Sequence, residues 1–245
     1  MAFRPVAFLA AALFCGCRNS SLPPLVDAAP AGTIAMAGID LTALRASPVY
    51  PKLPGVVTAL AEPLRDASAM LLAWNGKDLL LLARGNFTQP PPGYTVIAPG
   101  IAAAGAPERI ASAQAQLRSG RRSDLKLITL NNAIWAVVQG DGHLPLTGDL
   151  ENANNLLRDA GYTTLSAELH GTIDVALTAH CPTPENARRF EESLRAVVTL
   201  GTAASVRDAP MLALLQSIHI DRDDRVVHAT AIAPPEAFGK LMAPK

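Results

Sequence analysis

Aromatic side chains are scarce in this chain: Phe, Trp and Tyr make up 4% of its 245 residues. A surface that stacks unpaired bases needs more of them, which excludes a single-stranded nucleic-acid platform. A surplus charge is also lacking. The chain has 21 Lys and Arg against 21 Asp and Glu, so no long-range pull on phosphate backbones or anionic membranes exists. Beyond the N-terminus no apolar run reaches the roughly 18 residues of a membrane-spanning helix, so none is expected in the mature chain. Cysteine is confined to Cys15, Cys17 and Cys181. What is plentiful is apolar mass: hydrophobic residues reach 49%, mostly Ala, Leu and Val, which suffices for a large core.

Two of the three cysteines close the leader MAFRPVAFLAAALFCGC. Arg4 supplies a positive start, and residues 6–14 form an apolar stretch too short to span a bilayer permanently. The end, Phe14-Cys15-Gly16-Cys17, resembles the lipobox of bacterial lipoproteins, cut by signal peptidase II. Gly16 is the small residue before the modified cysteine, whereas Phe14 stands where that family usually has Leu. The resemblance implies a signal peptide over 1–16 and palmitate-type acyl chains on Cys17, each buried methylene contributing about 0.8 kcal/mol. It also implies a periplasm-facing position in the cell envelope. Arg18 is not the Asp that retains some lipoproteins at the inner membrane, which favours the outer one. A secreted protein with a chance cysteine, or an intracellular one with an apolar N-terminus, are the competing readings. With Cys15 removed and Cys17 acylated, Cys181 has no partner for an internal disulfide. Residues 17–32, polar and proline-rich, read as an extended lipidated tether.

The body, 33–245, reads as α+β. The pattern predicts a mainly antiparallel sheet built from hairpins, with helices packed on one face. TIAMAGID is a strand, Asp40 caps a short helix, and a second helix is expected from Pro54 to about Glu62. Asn75-Gly76 predicts a two-residue hairpin pairing Trp74 with Lys77 and Leu72 with Leu79. Strands are expected near TVIAP and IAAAG, and a hairpin at DLKLITL-NN-AIWAVVQG. A helix is read near 150–160, closed by Gly161. In TIDVALTAH the residues Ile173, Val175, Leu177 and Ala179 share a face. A long helix follows over about 184–200, its buried stripe read as Ala187, Phe190, Leu194, Val197 and Val198, and a last hairpin lies at SIHIDRDDRVVHATAI.

A strand runs into a Pro-Glu helix start three times, in IAAAGAPERIASA, VALTAHCPTPENARRF and VVHATAIAPPEAFGKL. Proline suits the first helical turn and glutamate its positive end. The recurrence is either a simple way to begin a helix or a duplicated β–α unit with halves 33–145 and 146–245. The stretch IDLTALRASPVYPKL (39–53) is similar to uncharacterised envelope lipoproteins of environmental bacteria, a resemblance that implies no activity.

No assembled catalytic motif appears. There is no G-x-S-x-G elbow, and GIAAAGAPE lacks the Lys-Ser/Thr of a phosphate-binding loop. Asp141, Asp149 and Glu151 lack the tight alternate spacing of a calcium loop. If Asp223-Asp224 is a two-residue turn, His219 lies across from His228, about 4.5–5.5 Å away at Cβ, and the pair is a candidate metal site lacking its further ligands. His180 and Cys181 point to opposite faces as strand neighbours, which leaves Cys181 as a buried residue rather than a nucleophile. Arg118, Arg121, Arg122 and Lys126 form a basic loop that could meet anionic lipid or glycan. No cofactor and no nucleic acid are expected. The reading is a membrane-anchored exported lipoprotein with a non-enzymatic binding or scaffolding body, whose partner is an envelope protein or glycan. The alternatives are a carrier or chaperone for an apolar ligand, and a hydrolase or metal-dependent enzyme.

Overall fold

A single sheet of ten strands organises the molecule, in the order β4-β5-β3-β2-β1-β6-β7-β8-β10-β9, with every adjacent pair antiparallel. The structure, a computed structural model, describes residues 25–53, 64–120, 132–140, 144 and 153–237. The strands are β1 (Ala35–Asp40), β2 (Ala67–Trp74), β3 (Leu79–Gly85), β4 (Thr95–Ala98), β5 (Ile101–Gly105), β6 (Ile134–Gln139), β7 (Tyr162–Leu169), β8 (Ile173–His180), β9 (His219–Asp223) and β10 (Val226–Ala233). The helices are α1 (Leu41–Ala46), α2 (Pro107–Ser119), α3 (Ala153–Leu157), α4 (Pro184–Ala204) and α5 (Ala209–Gln216).

The caps follow from local chemistry. Asp40 accepts a hydrogen bond from the Ala43 amide at 2.9 Å and starts α1. Thr183 caps α4 and Asp208 caps α5 in the same way, with proline in the first turn of each. Gly120, at φ 65°, ends α2 in the left-handed region.

Strand alternation sorts the core onto two faces. On one face Met36, Leu71, Leu80, Leu82, Ala103 and Trp135 pack beneath α2 through Ala113. On the other, Ala83, Ala167 and Ile173 pack with Leu41 and Leu44 of α1 and Leu214 of α5, while Ala179 and Val227 pack with Ala187 and Phe190 of α4. The helices therefore lie on both faces, not on one as the pattern suggested. The two faces of β2 and β3, with buried Leu71 and Leu82 on one and half-buried Met70 and buried Ala83 on the other, each need their own cover.

Other expectations shift. The Asn75-Gly76 loop holds four residues, because Trp74 pairs with Leu79 and Leu72 with Leu81. Asn75 Oδ1 accepts from the amides of both Lys77 and Asp78, at 3.0 and 2.7 Å, and this Asx turn spans the wider loop. β6 has β1 on one side and β7 on the other, and the first strand of the hairpin expected at 124–130 lies outside the described residues. The helix expected from Pro54 to Glu62 also lies outside them. In α4, Ala187 and Phe190 are buried and Leu194 and Val198 are half-buried, but Val197 is 55% exposed, a departure from the expected stripe. The stretch read as a tether is folded at its end: Leu25 and Ala28 are fully buried, in a helical turn closed by Ala28 N–H to Leu25 O at 3.0 Å. Apolar Leu25 and Val26 find room on the α2 face, which outweighs the polar residues around them.

The strand order repeats itself. β1 to β5 run outward from the centre as 1-2-3-5-4, and β6 to β10 run the other way as 6-7-8-10-9. The seam between them is symmetric: Asp40 N–H donates to Ala133 O, and Gln139 N–H donates to Ile34 O, both at 2.8 Å. One row crossing the sheet reads Ala104, Leu81, Leu72, Ala37, then Ala136, Leu165, Leu177, Ala229. All eight are half-buried.

Candidate functional site

The last hairpin brings together the polar side chains singled out in the sequence, but in a different register. Asp223 pairs with Val226, so Asp224 and Arg225 form the loop. Asp224 takes φ 47°, a left-handed conformation that Asp tolerates better than most residues. The shift places Asp221, not His219, across from His228, and His219 across from Thr230. His219 and His228 therefore share a face but are not directly opposed. Among the described residues no group of three or more His, Cys, Asp or Glu is arranged to hold a metal ion.

His228 instead meets β8. Its Nδ1 lies 3.1 Å from Thr178 Oγ1, across the register pair Thr178–His228. Next along β8, His180 stacks on Tyr162 of β7, with ring centroids 4.3 Å apart and planes 14° from parallel. Thr178, His180 and Tyr162 all follow from strand alternation once the register is known; the one-residue error in the loop hid the Thr178 and Asp221 neighbours of His228. A hydroxyl beside an imidazole resembles half of a nucleophilic pair, but Asp221 makes no ion pair with His228.

The remaining candidates separate. Cys181 is buried, and its amide donates to Arg225 O at 2.8 Å. Burial, aided by the charge of Asp159, pushes its thiol above the ordinary range, which keeps it protonated and unreactive. Arg118 is exposed in the last turn of α2, while Arg121, Arg122 and Lys126 lie outside the described residues, as does Cys17. One charged side chain escaped the sequence reading: Arg109 of α2 is 8% exposed. Its Nη2 reaches Thr33 Oγ1 at 3.4 Å, and desolvation lowers its pKa while Asp78 partly restores it. It ties α2 to the turn before β1, a structural role.

On the α4 face, Leu177 and Ala229 of the half-buried row pack against the cluster that holds Ala187 and Phe190 of α4. Leu200 and Val206, at the far end of α4 and just beyond it, are 71% and 68% exposed. No helix among the described residues is long and apolar enough to cross a membrane.

Solved structures match this arrangement. Crystal form III of TP0453 superimposes with a TM-score of 0.59 at 9% identity, covering 89% of this chain and 96% of that one. Crystal forms I and IV give TM-scores of 0.52 and 0.53, each at 10% identity and 89% coverage of this chain. At such identity the likeness is one of fold alone. No family model matches the chain. No curated protein matches it either.

Proposed function

We propose that this chain is an exported envelope lipoprotein, held at the outer membrane by acyl chains on Cys17, whose α+β body is a binding or scaffolding module rather than an enzyme. The observation that carries the anchor is the leader itself, a short apolar stretch ending in Gly16-Cys17. The non-enzymatic reading is supported by the polar groups of β7 to β10. They are strung along four strands, with Thr164 and Ser166 buried and Asp221, His228 and Thr230 exposed, instead of converging on one point beside a base, an orienting group and an oxyanion donor. The test is fractionation of a Cys17→Ser variant. It is expected in the soluble fraction while the parent stays with membranes after carbonate washing. Retention of the variant would reject the anchor.

A second reading, an apolar-ligand carrier, is favoured by one observation. The row from Leu81 to Leu177 is apolar yet only half-buried, on the sheet face that also carries α1, α4 and α5. Native mass spectrometry of the protein extracted from membranes would show stoichiometric lipid on this reading, and none on the first.

We also read the body as two duplicated halves, 25–120 and 132–237, joined at the β1–β6 seam. Three features support this: the repeated strand order, the paired seam hydrogen bonds, and the palindromic Ala-Leu-Leu-Ala row. The boundary lies before β6, earlier than the 145/146 division read from the sequence.

A further inference from the structure

The two edge hairpins, β4–β5 and β9–β10, hold corresponding places in the sheet, each with its second strand on the third strand of its set. Their chemistry on the α2 face differs. On β4–β5, Ile97, Ile101 and Ala103 are apolar and pack in the core cluster that α2 covers. On β9–β10 the same face presents His219, Asp221, Asp223, His228 and Thr230, all exposed, beside half-buried Val226 and exposed Ile232. β8 continues this face with Asp174, and β7 with Glu168. The face thus carries four carboxylates, and none of its strand positions in β7 to β10 is Lys or Arg. Of the arginines of this half, Arg188, Arg195 and Arg222 pair with Glu185, Glu191 and Glu192 of α4 on the opposite face, Arg189 pairs with Asp159, and Arg225 lies in the β9–β10 loop beside Asp224.

We propose that this surface of β8, β10 and β9 docks a basic helix of a protein partner, in the place that α2 takes on the other edge hairpin. The size follows from α2, whose 13 residues cover the matching hairpin. The charge follows from complementarity. Asp221 and Asp223, alternate residues of β9 and so about 6.7 Å apart along the strand, suit Lys and Arg four residues apart on a helix, about 6 Å along its axis, and carboxylates repel phosphate-bearing partners. A nucleic acid or an anionic bilayer is therefore the wrong occupant. The inference rests on the reading of the chain as a binding module and names the class of partner.

The experiment uses the full-length protein in detergent, labelled for amide NMR. The probe is a 13-residue helical peptide of lysine and alanine, matched with α2 in length. Its control is the same peptide with glutamate for lysine. The lysine peptide is expected to shift amides of β8, β9 and β10 only. Its affinity should fall about tenfold when Asp221 and Asp223 are both changed to Asn, and fall further with added salt. The Asn pair sits on exposed positions, so the fold is expected to persist, as the unchanged spectrum of α2 and β1 would confirm. The proposal is overturned if neither peptide binds at millimolar concentration, if the glutamate peptide binds equally, or if the shifts fall on α4. Membrane retention through Cys17 is read in a separate assay, so failure here leaves the lipoprotein reading standing or falling on its own.

Discussion

Trp135 is among the largest fully buried side chains, and it lies across the bare backbone of Gly38 on the neighbouring strand. A Cβ built on Gly38 would sit inside the van der Waals envelope of the Trp135 ring. Two effects of Gly38→Ala therefore oppose each other. Restricting the unfolded chain stabilises by about 0.4–1 kcal/mol, whereas forcing extra volume into a packed core costs about 1–3 kcal/mol. The backbone of β1 is pinned on both sides by β2 and β6, so the second effect is expected to win. Chemical denaturation should show Gly38→Ala less stable than the parent. In a Trp135→Leu background the same substitution should cost less, since the ring it strikes is gone. An equal loss in both backgrounds would locate the damage in the backbone instead. Nothing in AMAGID announces which side chain crosses that glycine. A glycine inside a strand signals close approach, but its partner is nearly a hundred residues away and depends on which strands become neighbours.

Between elements, long helix α4 is held to edge strand β9 by polar contacts as well as by Phe190. Glu191 accepts from Arg222 of β9 at 2.8 Å and from Arg195 at 3.0 Å, and Arg195 also donates to Ile220 O at 2.8 Å. The Arg222 hydrogen bond, then that of Arg195, holds the Glu191 carboxyl below the usual carboxylate range. A group with a depressed folded pKa contributes fully above its unfolded pKa, and that contribution is lost as pH falls through the folded value. Thermal melts should therefore show Glu191→Gln below the parent by about 2–4 °C at neutral pH, the shift expected for roughly 1 kcal/mol in a chain of this size. The gap should close as the pH falls below the carboxylate range. A gap that persists in acid would mean that the amide disturbs packing rather than charge. At this scale the sequence was readable wherever a signal is local. Asp40 and the Pro-Glu starts of α2 and α4 fall where capping chemistry puts them, and the alternation in β8 correctly sends Ile173, Val175, Leu177 and Ala179 to one face. It failed where the length or place of a loop decides the register. The Asn75-Gly76 loop holds four residues instead of two, and the last hairpin turns at Asp224-Arg225 instead of Asp223-Asp224. The second error moved Asp221 opposite His228 and so redrew the candidate site.

For the whole molecule, the central question is what joins the two five-stranded sets. Hydrogen bonds of β1 to β6 cross the seam, and so do Met36 and Val137, paired in register and packed in one core cluster with Trp135. Each set taken alone would expose one long edge, at β1 or β6, together with the apolar row ending at Ala37 or Ala136. An exposed flat edge of this kind seeks a partner strand. Fragments ending at Gly120 and beginning at Asn132 should then fail to behave as separate monomers and should assemble when co-expressed. Hydrogen exchange would check the assembly at two amides. Asp40 and Gln139, whose N–H groups donate across the seam, should be protected in the assembled pair and unprotected in either fragment alone. If a fragment on its own instead protects its seam amide by pairing with a second copy of itself, the edges of β1 and β6 are interchangeable, which the duplicated reading allows. If the fragments neither pair with each other nor with themselves, the ten strands form one indivisible sheet, and the repeated order 1-2-3-5-4 and 6-7-8-10-9 is a coincidence of topology.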